Sequence, residues 1–180
     1  MEFLPQGNHG ALAVARLEIE YLRRLYARAA DLIGEGSAES IAAGRAIYRR
    51  IFTVDADIMV SIDGREVLRG KGPEQWTSLV ADALCGAFEA TQHLIGTQIV
   101  DIHHLPGSDG APEGDASMTS YLQAWHAGRD GGLDIFIGTY HDQVRLTPGV
   151  GWQIHHMRLV RTSGEIRELQ GGRQTSFLMR

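Results

Sequence analysis

The stretch GPEQWTSLVADALCGAFEATQHLIGTQIV, residues 72–100, contains the change of hydrophobic period that decides the fold class. Its first part carries large apolar residues at helical spacing, and Pro73 suits the first turn of a helix because no backbone N–H donor is needed there. After Ala90, apolar and polar residues alternate, which is typical of a strand. The segment therefore predicts a helix followed by a long strand. The apolar positions of the helix are Trp76, Leu79, Val80, Leu84 and Phe88.

Upstream of this stretch, the sequence predicts two more helices and a hairpin. Gly34-Glu35-Gly36 ends the first helix, and Ser37 can cap the second. Asp63-Gly64 is a strong two-residue hairpin turn. The predicted segments are a helix over 11–33, a helix from 37 to about 52, and strands over 55–62 and 66–69. The apolar residues that recur along the first helix are Leu17, Tyr21, Leu25 and Leu32.

Downstream, the period-two pattern continues almost to the end of the chain. A polar connection containing Pro, Gly, Ser and Asp separates the first two strands, and glycine-containing turns separate the others. Helices followed by a long meander predict an α+β fold, in which three N-terminal helices pack on a strongly curved, mostly antiparallel sheet. The whole chain reads as one domain with a core over about 12–162 and weakly ordered ends at 1–9 and 165–180. The predicted strands are 91–104, 115–128, 132–146 and 150–162, and the polar connection is 105–114.

Composition excludes several classes of protein. The net charge of −5 argues against broad nucleic-acid binding, which needs basic surface. No apolar run approaches the ~18 residues of a membrane span, and the N-terminus lacks the pattern of a signal peptide. Cys85 is the only cysteine, so no internal disulfide can form and a cytoplasmic location is expected. The surroundings of Cys85 favour helix packing over a catalytic thiol.

Three separated residues carry the candidate chemistry: Asp31 near the end of the first helix, and His93 and His126 on strands with mostly apolar inward faces. A carboxylate that hydrogen-bonds a histidine fixes its tautomer and tunes it for general acid–base work near neutral pH. Each residue alone is more commonly structural, but the three together favour a proton-transfer site. Tyr26, five residues before Asp31 on the same helix, is equally consistent with core packing and with catalysis.

Further residues are candidates for substrate contact. Met118 and Leu122 share a strand face with His126, and Trp76 lies on the buried side of its helix. Arg158 could reach an anionic group of a ligand, although an exposed strand arginine is the simpler interpretation. No metal is predicted, because the histidines of the pairs 103–104 and 155–156 point to opposite faces of their strands.

Four short motifs, in this order and spacing, resemble SnoaL-like proteins of the nuclear transport factor 2-like, cystatin-like superfamily. They are Tyr26-Ala27-Arg28-Ala29-Ala30-Asp31, Ile51-Phe52-Thr53-Val54-Asp55-Ala56-Asp57, Arg69-Gly70-Lys71-Gly72-Pro73-Glu74 and Gly151-Trp152-Gln153-Ile154. The resemblance covers residues 12–162. It implies a cone-shaped barrel whose open end holds a small molecule, and a homodimer or homotrimer.

A narrower resemblance implies chemistry. Thr91-Gln92-His93-Leu94-Ile95-Gly96 is similar to the histidine segment of the scytalone dehydratases, which have a second histidine where His126 stands and an aspartate where Asp31 stands. The bile-acid dehydratases pair a tyrosine with an aspartate five residues later, as in Tyr26 and Asp31. The chain departs from the scytalone dehydratases at Ala30, where they have tyrosine, and near 59–61, where a second tyrosine is missing.

The resemblance implies a cofactor-independent lyase, most simply a dehydratase acting on a small, largely apolar, hydroxylated molecule. Two alternatives stay open. The same residues without a leaving group would serve an isomerase or a polyketide-type cyclase. The superfamily also contains non-catalytic binding domains and small structural subunits of ring-hydroxylating dioxygenases. Large residues on both faces of strands 115–128 and 132–146, including Tyr121 and Trp125, predict that the outer face of the sheet joins copies of the chain.

Overall fold

The computed structural model describes residues 9–105 and 114–168, which form three helices and six strands. No helix within these residues combines the length and the apolar character that crossing a membrane requires. The elements in chain order are α1 (His9–Gly34), α2 (Ala38–Ile51), β1 (Phe52–Ile62), β2 (Arg65–Lys71), α3 (Gly72–Leu84), β3 (Phe88–His104), β4 (Asp115–Gly128), β5 (Leu133–Thr147) and β6 (Gly151–Arg167).

The six strands form one open sheet in the order β2-β1-β6-β5-β4-β3. Strands β3 to β6 are an antiparallel meander, and β1 pairs with β6 in parallel. The chain thus returns β6 to the hairpin β1–β2, while the helices cover the inner face of the sheet. The prediction of an α+β cone with three N-terminal helices on a curved, mostly antiparallel sheet is confirmed.

Local signals place the helix ends close to the predicted positions, whereas several strand ends differ. Ser37 accepts a hydrogen bond from the Ser40 backbone N–H at 3.0 Å and caps α2. Phe88, predicted in a helix, begins β3, because α3 ends at Leu84. Strand β6 continues to Arg167, so the prediction of weak order is wrong for residues 165–167. Residues 1–8, 106–113 and 169–180 lie outside the described residues, with most of the predicted polar connection and ends.

The buried face of α1 is not the predicted one. Leu17 and Tyr21 are 62% and 47% exposed. The helix instead buries a stripe at the same spacing, shifted around its axis, because packing against α2 and β3 selects one of two apolar stripes. Leu25 belongs to the stripe that is buried. The buried apolar residues of α1 are Ala15, Ile19, Leu22, Leu25, Tyr26, Ala27, Ala29, Ala30 and Ile33.

A bulge in β3 changes which residues face the core. Thr97 has a φ of +33°, and the pairing with β4 shifts between Gly96 and Ile99. The predicted inward alternation from His93 therefore ends there: Ile99 is exposed and Val100 is buried. An extra residue in one strand reverses the facing of all residues after it.

A buried ion pair joins α1 to β5 beneath the aromatic part of the core. Arg23 Nη2 lies 2.5 Å from both carboxylate oxygens of Asp142, and both side chains are fully buried. The guanidinium also lies 3.7 Å from the Tyr140 ring centre and 4.6 Å from that of Tyr26. Burial raises the pKa of Asp142, and the positive charge of Arg23 opposes that rise. The pair thereby helps hold the rings of Tyr26 and Tyr140 in position.

Candidate active site

A cavity of about 230 Å³ lies between the helices and the inner face of the sheet. Its wall is mostly apolar, which keeps water from competing for the few polar groups that line it. Those groups come from α1, α3, β3, β4 and β5, which are distant in sequence and are brought together by the curvature of the sheet. The polar and aromatic side chains that line the cavity are Tyr26, Trp76, Phe88, His93, His126, Asp134 and Phe136.

His93 lines the cavity and is hydrogen-bonded to Asp31, which is not itself among the lining residues. The carboxylate Oδ1 of Asp31 lies 2.7 Å from Nδ1 of His93, and Oδ2 accepts the His93 backbone N–H at 3.2 Å. The Thr91 hydroxyl donates to Oδ1 at 3.2 Å. The predicted contact is therefore present. These bonds hold the carboxylate from both sides and fix the histidine as an Nδ1–H tautomer, so Nε2 is the nitrogen left for a substrate.

His126 lies on the neighbouring strand, close to His93. His126 pairs with Thr91 across the β3–β4 ladder, and the two imidazole centres are 5.6 Å apart. Phe88 stacks on the His126 ring at 4.7 Å. The His126 Nε2 atom is buried and has no hydrogen-bond partner among the described residues. Burial, helped by the nearby His93, lowers the pKa of His126 to about 4, so this imidazole is neutral at pH 7.

Tyr26 contributes a phenol to the helical wall of the cavity. Its ring stacks on Tyr48 at 5.3 Å and meets the rings of Phe52 and Tyr140 edge-on. Burial raises its pKa, and the positive charge of Arg23 opposes the rise. Tyr26 is thus a neutral hydrogen-bonding group near neutral pH.

The other predicted contact residues divide into two groups. Trp76 and Leu122 line the cavity, whereas Met118 and Arg158 are not among the lining residues. Met118 is buried deeper in the core, where Gln98 lies 3.7 Å from its sulfur. Arg158 is exposed on β6, where it stands opposite Met59 of β1 and His141 of β5 in the strand register. The prediction of a cavity contact is therefore wrong for these two residues: for Met118 because its depth along β4 differs from that of Leu122, and for Arg158 because it faces outward.

Sequence reasoning missed two acidic residues. Asp142 is the buried partner of Arg23, and Asp134 lines the cavity directly opposite His126 in the β4–β5 register. The local signal did not identify Asp134: counted outward from a turn at Gly131-Gly132, residue 134 would stand beside 129, whereas the observed hairpin is centred on residue 130 and pairs 134 with 126. The partner of Arg23 lies 119 residues away, beyond the reach of any local pattern.

Two other predictions from the sequence concern the Cys85 thiol and metal binding. The Cys85 thiol donates to the carbonyl of Ile33 at 3.1 Å and so helps hold α3 against α1. Within residues 9–105 and 114–168, no group of three or more His, Cys, Asp and Glu side chains is arranged to hold a metal ion.

The family model described as a SnoaL-like domain matches residues 13–158. Since this match spans most of the chain, the protein belongs to the SnoaL-like family. A search of the curated proteins finds no significant match to this chain.

Several solved structures of low sequence identity share the fold. A protein of Novosphingobium aromaticivorans provisionally assigned as a scytalone dehydratase is 16% identical, with a TM-score of 0.64 over 93% of this chain and 97% of its own. The hexachlorocyclohexane dehydrochlorinase LinA-type3 of Novosphingobium barchaimii is 14% identical, with a TM-score of 0.65 over 91% and 95%. A nuclear transport factor 2-like protein of Salmonella enterica is 16% identical, with a TM-score of 0.59 over 91% and 99%. At these identities the likeness shows the fold alone.

Proposed function

We propose that the protein is a cofactor-independent lyase, most simply a dehydratase of a small, largely apolar, hydroxylated molecule. The observation that carries this proposal is the Asp31–His93 pair, with 2.7 Å between Oδ1 and Nδ1, in which His93 lines an apolar cavity. A carboxylate-oriented imidazole beside an apolar cavity is suited to removing a proton from carbon. Fold relatives described as a dehydrochlorinase and, provisionally, as a dehydratase support elimination as the reaction type.

His93 is the proposed base. Its Nε2 takes a proton from the carbon beside a carbonyl or similar activating group, and Asp31 stabilises the imidazolium that forms. The C–O bond then breaks, and the proton on His93 Nε2 passes to the departing hydroxyl, which leaves as water. The double bond forms between the two carbons, and His93 returns to its neutral form.

His126 has a different role in this scheme. With a pKa of about 4 it carries no proton to give as an imidazolium near neutral pH. A neutral imidazole still donates one hydrogen bond, and Tyr26 donates another from the helical wall. These two groups would stabilise negative charge that develops on the activating carbonyl, a contribution that is typically ~100-fold or more for one donor.

The open alternatives differ in the step after proton removal. A substrate without a leaving group would be isomerised or cyclised by the same residues, which is the second candidate. A purely structural role is disfavoured by the buried His126 Nε2, which has no hydrogen-bond partner among the described residues. A buried polar atom without a partner costs stability unless a ligand or solvent supplies one.

The test is turnover of small neutral β-hydroxy ketones, followed by the near-ultraviolet absorbance of the conjugated enone that dehydration produces. We expect His93→Ala and Asp31→Asn to lower kcat by roughly 10²–10⁴-fold with the fold intact. His141→Ala, an exposed histidine on β5, is the matched control and should keep wild-type turnover. EDTA should leave the rate unchanged. Undiminished turnover in His93→Ala would overturn the assignment.

A further inference from the structure

Among the described residues that line the cavity, Asp134 is the only charged side chain other than the histidines. It is the second residue of β5, pairs directly with His126 and is half-buried. The described residues offer its carboxylate neither a hydrogen bond nor an ion pair, and its charge acts on the nearby His126, whose protonated form it favours. A carboxylate in an apolar wall without a donor is costly unless solvent or a ligand supplies one.

Within the described part of the chain, no lysine or arginine lines the cavity to balance this charge. Arg23, beneath Tyr26, is fully buried and already bonded to both oxygens of Asp142. An anionic ligand would therefore meet a carboxylate with no compensating cation, whereas a hydroxyl or an ammonium group would give Asp134 the donor that it lacks.

The three polar side chains stand in a row across the sheet: His93 on β3, His126 on β4 and Asp134 on β5. Asp134 pairs directly with His126, whereas His93 pairs with Ala124 and is therefore offset by two residues along the strands. With ~4.8 Å between neighbouring strands and ~3.4 Å per residue, Asp134 lies roughly 12 Å from His93. A ligand that contacts both His93 and Asp134 has its reacting carbon at His93 and a second polar group at Asp134.

Asp134 also faces a second cavity, of about 360 Å³, that adjoins the first at Phe88 and is lined by the turn between β4 and β5. Phe88 and Asp134 are common to both cavities. The second cavity is also lined by Arg129 and Asp130, whose charges are opposite in sign. Among the described residues, the lack of a lysine or arginine therefore holds for the cavity that contains His93 and His126, where an anionic group would meet Asp134 without a cation.

Building on the proposed function, we propose that Asp134 determines substrate specificity: it accepts a hydrogen bond from a hydroxyl or ammonium group remote from the reacting carbon, and it selects neutral or cationic substrates against anionic ones. The occupant is thus a molecule with one polar, activated end for His93 and one donor end for Asp134.

The experiment measures binding, so it is independent of turnover. Benzylammonium, benzyl alcohol and benzoate share one ring and differ in charge and donor. Each is titrated into the protein while the imidazole NMR signals of His93 and His126 are followed. For the wild type we expect benzylammonium to bind at least tenfold more tightly than benzoate, with benzyl alcohol between them. Asp134→Asn should reduce the ratio of the affinity for benzylammonium to the affinity for benzoate to near one.

Two further variants control this comparison. Glu165→Gln removes one carboxylate from the neighbouring strand, on an exposed position opposite Ile135, and should keep the wild-type ratio. Asp134→Leu removes the acceptor altogether and should also weaken benzyl alcohol, which shows that the effect is more than overall charge.

The proposal is overturned if the wild type shows no preference, if Asp134→Asn keeps it, or if none of the probes shifts the two histidine signals. None of these results decides whether His93 is the base, because that rests on the loss of turnover in His93→Ala. In a turnover assay with a neutral donor substrate, Asp134→Asn should raise KM while changing kcat by less than about threefold, since the interaction lies away from the reacting atoms.

Discussion

At His126, the surroundings of one imidazole decide its charge. The ring is covered by Phe88, neighbours His93 and has a buried nitrogen without a partner among the described residues. Removal of an imidazolium from water under these conditions is unfavourable, and the pKa falls to about 4. His93, on the next strand, has a different partner: its Nδ1–H donates a hydrogen bond to the carboxylate of Asp31. Two histidines on adjacent strands thereby acquire different chemistry from their partners alone.

The lowered pKa of His126 makes folding stability depend on pH. Between pH 6.5 and about 4, the unfolded chain binds a proton at His126 that the folded protein does not, so this residue lowers stability as the pH falls. His126→Gln removes that contribution. We expect the loss of unfolding free energy between pH 7 and pH 5 to be smaller by about 2 kcal/mol in the variant than in the wild type.

Urea denaturation at the two pH values measures this difference. His141→Gln, at an exposed position, is the control and should keep the wild-type pH dependence. An identical pH dependence in His126→Gln would show that His126 is protonated as readily in the folded protein as in the unfolded chain.

At the scale of elements, the Arg23–Asp142 pair fastens α1 to the centre of the sheet. A buried pair gains little net free energy over apolar packing, but the loss of one partner leaves an uncompensated charge in the core. The pair also holds the Arg23 guanidinium against Tyr26 and Tyr140, which form the aromatic floor of the cavity. Packing of α1 and the position of Tyr26 are therefore coupled.

Arg23→Met should lower the unfolding free energy by about 3–5 kcal/mol, because Asp142 remains buried without a counter-charge. The double variant Arg23→Met/Asp142→Leu should recover most of that loss. Arg145→Met, on the same strand as Asp142, breaks an exposed ion pair with Asp55 of β1 and should cost less than about 1 kcal/mol. Chemical denaturation compares the four proteins. If the double variant were no more stable than Arg23→Met, the penalty would come from lost packing and not from the unpaired carboxylate.

At the scale of the whole molecule, one face of the sheet is used by the helices and the cavity, and the opposite face exposes apolar side chains. On β3 and β4 several of these side chains point away from the core and share the outer face. An exposed apolar patch of this kind is typical of a protein–protein contact. The patch consists of Leu94, Ile99, Tyr121 and Trp125, which are 59%, 56%, 57% and 41% exposed.

We expect the protein to form a homodimer or homotrimer through this patch, because association buries apolar surface that the helices cannot cover. Light scattering at micromolar concentration should give a mass two or three times that of the chain. Tyr121→Ser/Trp125→Ser should shift the mass to that of the monomer, whereas Val54→Ser, an exposed apolar residue on β1, should not. A monomeric wild type would contradict this expectation.

Much of the fold was predictable from short-range patterns. The change of period at Ala90 separates the helices from the meander, and the alternation from Met118 to His126 correctly places five β4 side chains on the buried face. His93 and His126 were identified because each lies on a strand whose pattern defines an inward face, whereas Asp31 was identified from its place in the first-helix motif. Such signals survive in the sequence because a strand or helix repeats its facing every few residues, whatever its partners are.

The sequence by itself determined the element types and which residues carry acid–base groups, whereas the tertiary structure decided the features that depend on partners distant in the chain. Packing chose between the two apolar stripes of α1, the bulge at Thr97 changed the facing of Ile99, and the β4–β5 register brought Asp134 beside His126. The 2.7 Å contact between Asp31 and His93 joins residues 62 positions apart. Periodicity within an element carries no information about which elements meet or in what register, because long-range packing sets both.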